Sequence, residues 1–186
     1  MSNIWVTSDL HIGHDREFVW SPRGFTCSAD HDESIVEYFN NTVNDEDDVY
    51  ILGDLMLGDN NYGIGMLKNL KGRLHIVRGN HDTNPRWELY KNLPNVVEMG
   101  DALRFKSEGY NFYCSHYPTI TSNFEKDSLK QIEINLYGHT HQQTDFYEDR
   151  PFMFHCGVDS LSNFPINIEM VINRCKNKVE ECIKYL

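Results

Sequence analysis

The sequence predicts an α/β fold, and two observations carry that expectation. Short apolar runs recur at residues 4–6, 49–52, 74–77, 112–114 and 134–137, each the length of a buried strand. Between some of them lie segments with apolar residues at helical spacing, such as Ile35, Val36, Phe39 and Val43. A third observation points from fold to chemistry, because most of the runs lead into a short polar motif. In open α/β sheets the rim beyond the strand ends is where ligands bind.

The first run leads into Asp9-Leu10-His11, and the loop from 10 to 29 is long enough to be a candidate functional loop. Asp30 and Glu33 resemble a capping box opening the helix that carries Ile35 to Val43. The acidic stretch Asp45-Glu46-Asp47-Asp48 reads as a solvated turn before the second strand, which leads into Gly53-Asp54. A Gly/Asn-rich loop to Gly65 then precedes a short helix over 66–70, ended by Lys71-Gly72. The third run delivers Gly79-Asn80-His81-Asp82, and Pro85 opens a helix with Trp87 and Leu89.

Alternating strands follow from 96 to 114, leading into Ser115-His116. Residues 119–131 are polar and expected to be partly mobile. The fifth run leads into Gly138-His139-Thr140-His141, where alternate residues of an extended segment would send both imidazoles the same way. Segments 144–147 and 152–156 read as a hairpin, and Asn167 caps a last helix with Ile168, Val171, Ile172, Cys175, Val179, Cys182 and Ile183 on one face. No repeat, linker or low-complexity tract divides the chain, so residues 1–186 are read as one domain.

With 186 residues, 40 % of them hydrophobic, the chain is long enough to bury a sizeable core. No stretch approaches the roughly 20 apolar residues of a membrane helix, and the N-terminus shows no secretory signal, so the expected location is cytoplasmic. The five cysteines form no C-x-x-C pair and read as reduced thiols, with Cys175 and Cys182 expected in the core. There are 17 basic against 28 acidic residues, a formal net charge of −11. Duplex nucleic acid is bound largely through Lys and Arg, so an extended polyanion is disfavoured as a partner.

The motif residues suit a pair of divalent ions. Carboxylate and amide oxygens with imidazole nitrogens suit manganese, iron, cobalt, nickel or zinc, of which manganese is the expected ion, whereas an all-oxygen shell would suit magnesium or calcium. Two ions about 3.5–4 Å apart clamp a phosphoryl group and acidify a water between them. One carboxylate must then bridge both ions, a role open to the lone Asp54.

The series Asp9-x-His11, Gly53-Asp54, Gly79-Asn80-His81-Asp82, His116 and Gly138-His139-x-His141 resembles the calcineurin-like metallophosphoesterase superfamily. The resemblance covers most of the chain with its motifs in order. It implies a four-layer α/β/β/α sandwich of two mixed sheets flanked by helices. Asp9, His11 and His141 would hold one ion, Asn80, His116 and His139 the second, and Asp54 would bridge. His81 would be the general acid while a hydroxide held by the ions attacks in line. The chain lacks the G-D-x-x-D-R-G extension of the phosphoprotein phosphatases, since Gly53-Asp54 continues as Leu55-Met56-Leu57-Gly58-Asp59. Its layout is closer to the small bacterial and phage phosphoesterases.

The expected function is therefore hydrolysis of a small or nucleotide-like phosphodiester. The alternatives are a phosphomonoesterase, a short single-strand nuclease, or a non-catalytic scaffold of the kind the superfamily's retromer subunit provides. Filled positions throughout the pattern count against the scaffold. Arg16, Arg23 and His14 are the candidate substrate contacts. Phe18, Trp20 and Phe25 around Arg23 would form either a stacking lid or a small satellite core. Asp82 is expected to brace its loop, Arg78 to pair structurally, and His31, His75 and His155 to be structural or surface residues.

Overall fold

The computed structural model describes residues 2–121 and 131–183, so most of the polar segment 119–131 lies outside the described residues. Strands β1 (Ile4–Thr7), β2 (Asp48–Ile51), β3 (Arg73–Val77) and β4 (Val96–Gly100) pair in parallel, in the order β4-β3-β2-β1. Four strands of a second sheet follow: β5 (Ala102–Ser107), β6 (Tyr110–Ser115), β7 (Glu133–Tyr137) and β8 (Met153–His155), in that order. There β5 runs antiparallel to β6, while β6, β7 and β8 are parallel. A two-residue strand, β9 (Ile166–Asn167), returns antiparallel to β1 and closes the first sheet's edge. Both sheets are therefore mixed, as the resemblance implied.

The parallel registers decide where the motifs go. Pairing of Ile4 with Asp48, and of Asp48 with Arg73, brings the ends of β1, β2 and β3 to one rim. Cys114 opposite Leu136 does the same for β6 and β7. Residues a few positions past five different strands thus meet.

Helices α1 (Glu17–Trp20), α2 (Ser28–Thr42), α3 (Asn60–Leu67), α4 (Asn84–Tyr90) and α5 (Ile168–Ile183) fill the connections and the C-terminal end. One core packs Val49, Ile51, Leu74 and Ile76 against Ile35, Phe39, Leu67 and Tyr90 on α2, α3 and α4. The other lies between the sheets, where Val6, Tyr50 and Val77 meet Phe112, Ile134, Leu136 and Phe154, joined by Val171 and Cys175 of α5. Tyr50 stacks on Phe105 at 4.2 Å, and Phe105 on Phe112 at 4.8 Å. Central strands of the first sheet are covered on both faces, which explains their unbroken apolar runs. Truncating fully buried Phe112 to Ala is expected to cost about 3–5 kcal/mol. No described helix is long and apolar enough to cross a membrane.

Several boundaries differ from the sequence reading. The loop after β1 contains the single turn α1, and α2 begins at Ser28. Cys27 caps α2 by accepting from Asp30 N, while the Asp30 carboxylate accepts from Thr26, so Asp30 braces the entry and does not cap it. Helix α3 starts at Asn60 because Asp59 caps it through Tyr62 N at 2.8 Å, and Gly63 sits inside it where a side chain would strike Met56. The expected hairpin reduces to one antiparallel bridge, Phe146 to Phe154, because β8 pairs instead with β7. Asn167 does cap, through Glu169 N at 2.9 Å. Cys175 is buried but Cys182 only partly so.

The acidic turn is only partly solvated. Asp47 is 2 % exposed and accepts hydrogen bonds from Asn3 N, Trp5 Nε1 and Asn44 N. Asp48 pairs with Arg73 and His75. Both carboxylates tie β2 to its neighbours, which a count of charges does not reveal.

Candidate metal centre

Just beyond β1 and β2 the chain makes tight, left-handed turns. Asp9, His11 and Asp54 have φ of 59°, 52° and 54°, and His139 and His141 have 68° and 48°. Non-glycine residues hold this conformation at a cost of about 1–3 kcal/mol each, and such strain gathers at functional sites. For His139 and His141 it replaces the extended segment expected from sequence. The two imidazoles diverge instead, one into each half of the cluster.

The backbone holds these turns in register. Asp9 N donates to Gly53 O and His11 N to Asp54 O, lacing the first two motifs together. Asp82 braces the third, as expected: its carboxylate accepts from Gly79 N at 2.8 Å, Asp54 N at 2.9 Å and Tyr90 Oη at 2.9 Å. Gly138 lies so near Ser8 and the Asp9 carboxylate that any side chain there would displace them. His139 N donates to that same carboxylate at 2.9 Å.

The side chains then converge in two halves. In the first, His11 Nε2 faces His141 Nε2 at 3.2 Å, with Asp9 Oδ1 at 3.9 and 4.0 Å. In the second, Asn80 Oδ1 faces His116 Nε2 at 2.8 Å and His139 Nδ1 at 2.9 Å. Asp54 Oδ2 lies between the halves, 3.8 Å from His11 Nε2 and 3.5 Å from His116 Nε2. His81 Nε2 is 4.0 Å from the same oxygen.

This donor set fits divalent ions. Neighbouring ligand atoms around an ion with bonds of about 2.1 Å stand roughly 3–3.5 Å apart, close to the imidazole and amide spacings within each half, with the Asp9 oxygen somewhat wider. Asp9, His11 and His141 form one group able to hold an ion, and Asp9, Asp54 and His116 another. Both carboxylates are buried. Burial pushes the Asp9 carboxyl up, and the nearby imidazoles offset this only in part, so a cation is what such a carboxylate needs. Burial, helped by Arg23 and neighbouring imidazoles, holds His11 well below the usual imidazole range, which leaves it neutral with a lone pair to give.

Hydrogen bonds behind the ligands fix their tautomers. His116 Nδ1 donates to Leu52 O at 2.8 Å, freeing Nε2 for the centre. His141 Nδ1 donates to Asp159 Oδ2 at 2.9 Å, with the same result. Burial pushes the Asp159 carboxyl up, but His141 and Arg23 more than reverse this and hold it well below the carboxylate range. Asp159 belongs to no motif and was missed by the sequence reading. So was Arg86, which donates to His81 O at 2.7 Å while His81 N donates to Asp54 Oδ1 at 2.8 Å.

The three substrate-contact candidates separate. Arg23 is buried, its guanidinium bidentate on Asp159 at 3.0 Å and further bonded to Asp9 O and to His31 Nε2. His31 passes this on, donating from Nδ1 to Asp32 Oδ1 at 2.8 Å, while Asp32 Oδ2 accepts from Gly13 N. Arg23 is thus a tether between the long loop and the centre, and its expected role as a phosphate clamp is corrected. Arg16 is exposed just before α1. His14 is buried, against the exposed position that a loop histidine usually takes, and it lines a cavity with His11, His81 and His141. The aromatic trio divides as well: Phe25 packs on His31 and Tyr38, while Phe18 stands exposed. Arg78 pairs structurally, donating to Asp82 O and Asn84 Oδ1.

The profile of the calcineurin-like phosphoesterase superfamily domain matches residues 2–178. The Gene 66 protein of Mycobacterium phage D29 is 32 % identical over 181 residues, covering 86 % of this chain and 89 % of its own. An uncharacterized protein of Methanocaldococcus jannaschii is 25 % identical over 100 % of this chain and 99 % of its own. Among solved structures, a protein of unknown function from Aquifex aeolicus shares the fold, with a TM-score of 0.70, 20 % identity and coverage of 93 % of this chain and 99 % of that one. Yfce, a phosphoesterase from E. coli, superposes with a TM-score of 0.50 at 20 % identity, over 88 % of this chain and 81 % of that one.

Proposed function

Because the chain belongs to the calcineurin-like phosphoesterase superfamily, we propose that it is a dinuclear-metal phosphoesterase acting on a small or nucleotide-like phosphodiester. The observation that carries this reading is the position of Asp54 Oδ2 between His11 Nε2 and His116 Nε2, at 3.8 and 3.5 Å. Asp9, His11 and His141 would hold one ion, Asn80, His116 and His139 the other, and Asp54 both. Such a pair supplies phosphoryl clamping and an acidified water.

His81 supplies the proton. Its backbone is held at both ends by Asp54 and Arg86, which leaves the imidazole at the mouth of the centre. As the water oxygen bonds to phosphorus and the P–O bond to the leaving group breaks, the leaving oxygen takes the proton from His81. General acid catalysis of this kind is worth about 10²–10⁴-fold. No Arg or Lys lines the cavity beside His81 among the described residues. In the cavity beside Asn80, Arg78 is already engaged. A monoester dianion gains most from additional cationic clamps, so this scarcity supports a diester monoanion as substrate. The acidic chain also disfavours extended duplex nucleic acid.

Metal analysis of the purified protein, then hydrolysis of matched mono- and diesters with manganese, nickel, zinc and magnesium, tests the reading. Expected are two ions per chain, activity lost on chelation and in Asp54→Ala, and higher kcat/KM for diesters. Full activity after chelation overturns the metal mechanism, and a clear preference for monoesters promotes the phosphomonoesterase alternative.

A further inference from the structure

The cavity beside His81 has a chemistry that the ligand cluster does not explain. It encloses about 360 Å³ and is lined by imidazoles of the centre, by Phe18, Val19 and Pro22, and by Gln143 and Asp159. Phe18 is 72 % exposed, the most exposed large apolar side chain among the described residues, while Val19 beside it is buried and anchors α1. One turn of helix therefore turns an aromatic ring outward at the edge of the centre.

That ring is positioned by contact. Phe18 lies edge-on to His14 at 5.6 Å, His14 to His11 at 5.5 Å, and His11 to His81 at 5.5 Å. An unbroken series of ring contacts joins the apolar wall to the proton donor. The cavity beside Asn80 also carries a ring, Tyr117, which lies against His139 at 4.6 Å, but there the ring is joined by Arg78, Asp101, Ser115 and Thr119. The two substituents of a diester would thus meet unlike surroundings, and the side where an exposed ring is backed by Val19 and Pro22 is the one that contains His81.

We propose that the cavity between Phe18 and His81 is the leaving-group subsite and receives an aromatic ring, with Phe18 as its stacking platform. An exposed aromatic face at a cavity mouth favours offset stacking with a flat group. It offers no charge to a simple alkyl or phosphate group. Placing the ring on the leaving side rests on the phosphoesterase reading above; the ring site itself does not.

The test is calorimetric titration of metal-loaded wild type and Phe18→Ala with three non-hydrolysable phosphonates. These are methylphosphonate as the ringless control, phenylphosphonate with the ring directly on phosphorus, and a nucleoside 5′-phosphonate with its base across a sugar. Stacking of one ring predicts that Phe18→Ala weakens at least one ring-bearing ligand by about tenfold, and that Phe18→Tyr restores it, with methylphosphonate changed by less than about twofold. Loss confined to phenylphosphonate places the ring next to phosphorus, and loss confined to the nucleoside identifies a base. Equal loss for all three ligands, or none for either ring-bearing ligand, overturns the proposal. Ring binding that depends on Phe18 in a protein that hydrolyses no ester would keep the ring site and remove the phosphoesterase reading instead.

Discussion

Asp159 and His141 form a directed pair, with His141 Nδ1 donating to Asp159 Oδ2 at 2.9 Å and Nε2 turned toward His11. The Arg23 guanidinium holds the same carboxylate bidentately, so its orientation is fixed from the opposite side. A ligand's hydrogen-bond partner sets both its tautomer and its ring plane.

Asp159→Asn should therefore weaken metal binding while leaving every proposed ligand in place. Losses behind a metal ligand typically run to about 10–100-fold in affinity. The same change leaves buried Arg23 without its anion, so thermal stability should fall too. Calorimetric metal titration checks the first effect and a melting curve the second. Wild-type metal affinity in the variant would show that Asp159 serves only the ion pair.

His81→Asn separates proton donation from metal holding. The variant should keep its metal content while kcat falls by about 10²–10⁴-fold. Aryl esters with acidic leaving groups need less protonation and should lose less. Elemental analysis alongside a leaving-group series reads both effects, and lost metal would make His81 a ligand.

Asp82 holds Asp54 without touching the ions in the proposed scheme, since its oxygens accept from Asp54 N, Gly79 N and Tyr90 Oη. Asp82→Ala leaves those donors unsatisfied, each at about 1–3 kcal/mol. Denaturant unfolding should show a loss of several kcal/mol, with Tyr90→Phe costing less because only one bond disappears. An unchanged midpoint in Asp82→Ala would refute the bracing role.

Asp47 governs part of the acid limb of stability. Burial pushes its carboxyl up, but hydrogen bonds from Asn3, Asn44 and Trp5 outweigh burial and hold it below the usual range. A depressed carboxyl contributes stability above its unfolded pKa of about 3.9 and loses that contribution as pH falls through the folded value. Asp47→Asn should thus lower stability near neutrality and shrink its loss between about pH 4 and lower values. Urea melts across that range measure it, and parallel curves for the two proteins would sink the idea.

The proposed ligands were legible in the sequence because each lies within a few residues of a strand end, and strand ends show as apolar runs stopping at glycine or polar residues. Asp9, Asp54, Asn80, His116 and His139 stand in local motifs whose order carries the family resemblance that assigns their roles, and the parallel registers bring them together. Asp82 was readable for the same reason. Helix starts at Ser28 and Asn60 were not, because a cysteine sulfur caps one and the other runs through a Gly/Asn-rich stretch of poor intrinsic propensity.

Tertiary structure alone decided what stands behind and beside the centre. Arg23 meets Asp159 across 136 positions of chain, so no spacing marks them as partners, and the candidate phosphate clamp is instead a buried tether. His14 and Phe18 sit in the same loop, yet one is buried in the cavity and the other stands 72 % exposed at its edge. Composition treats both as loop residues. Which of them is buried is decided by how the single turn α1 sits with Val19 inward, and that is a matter of packing.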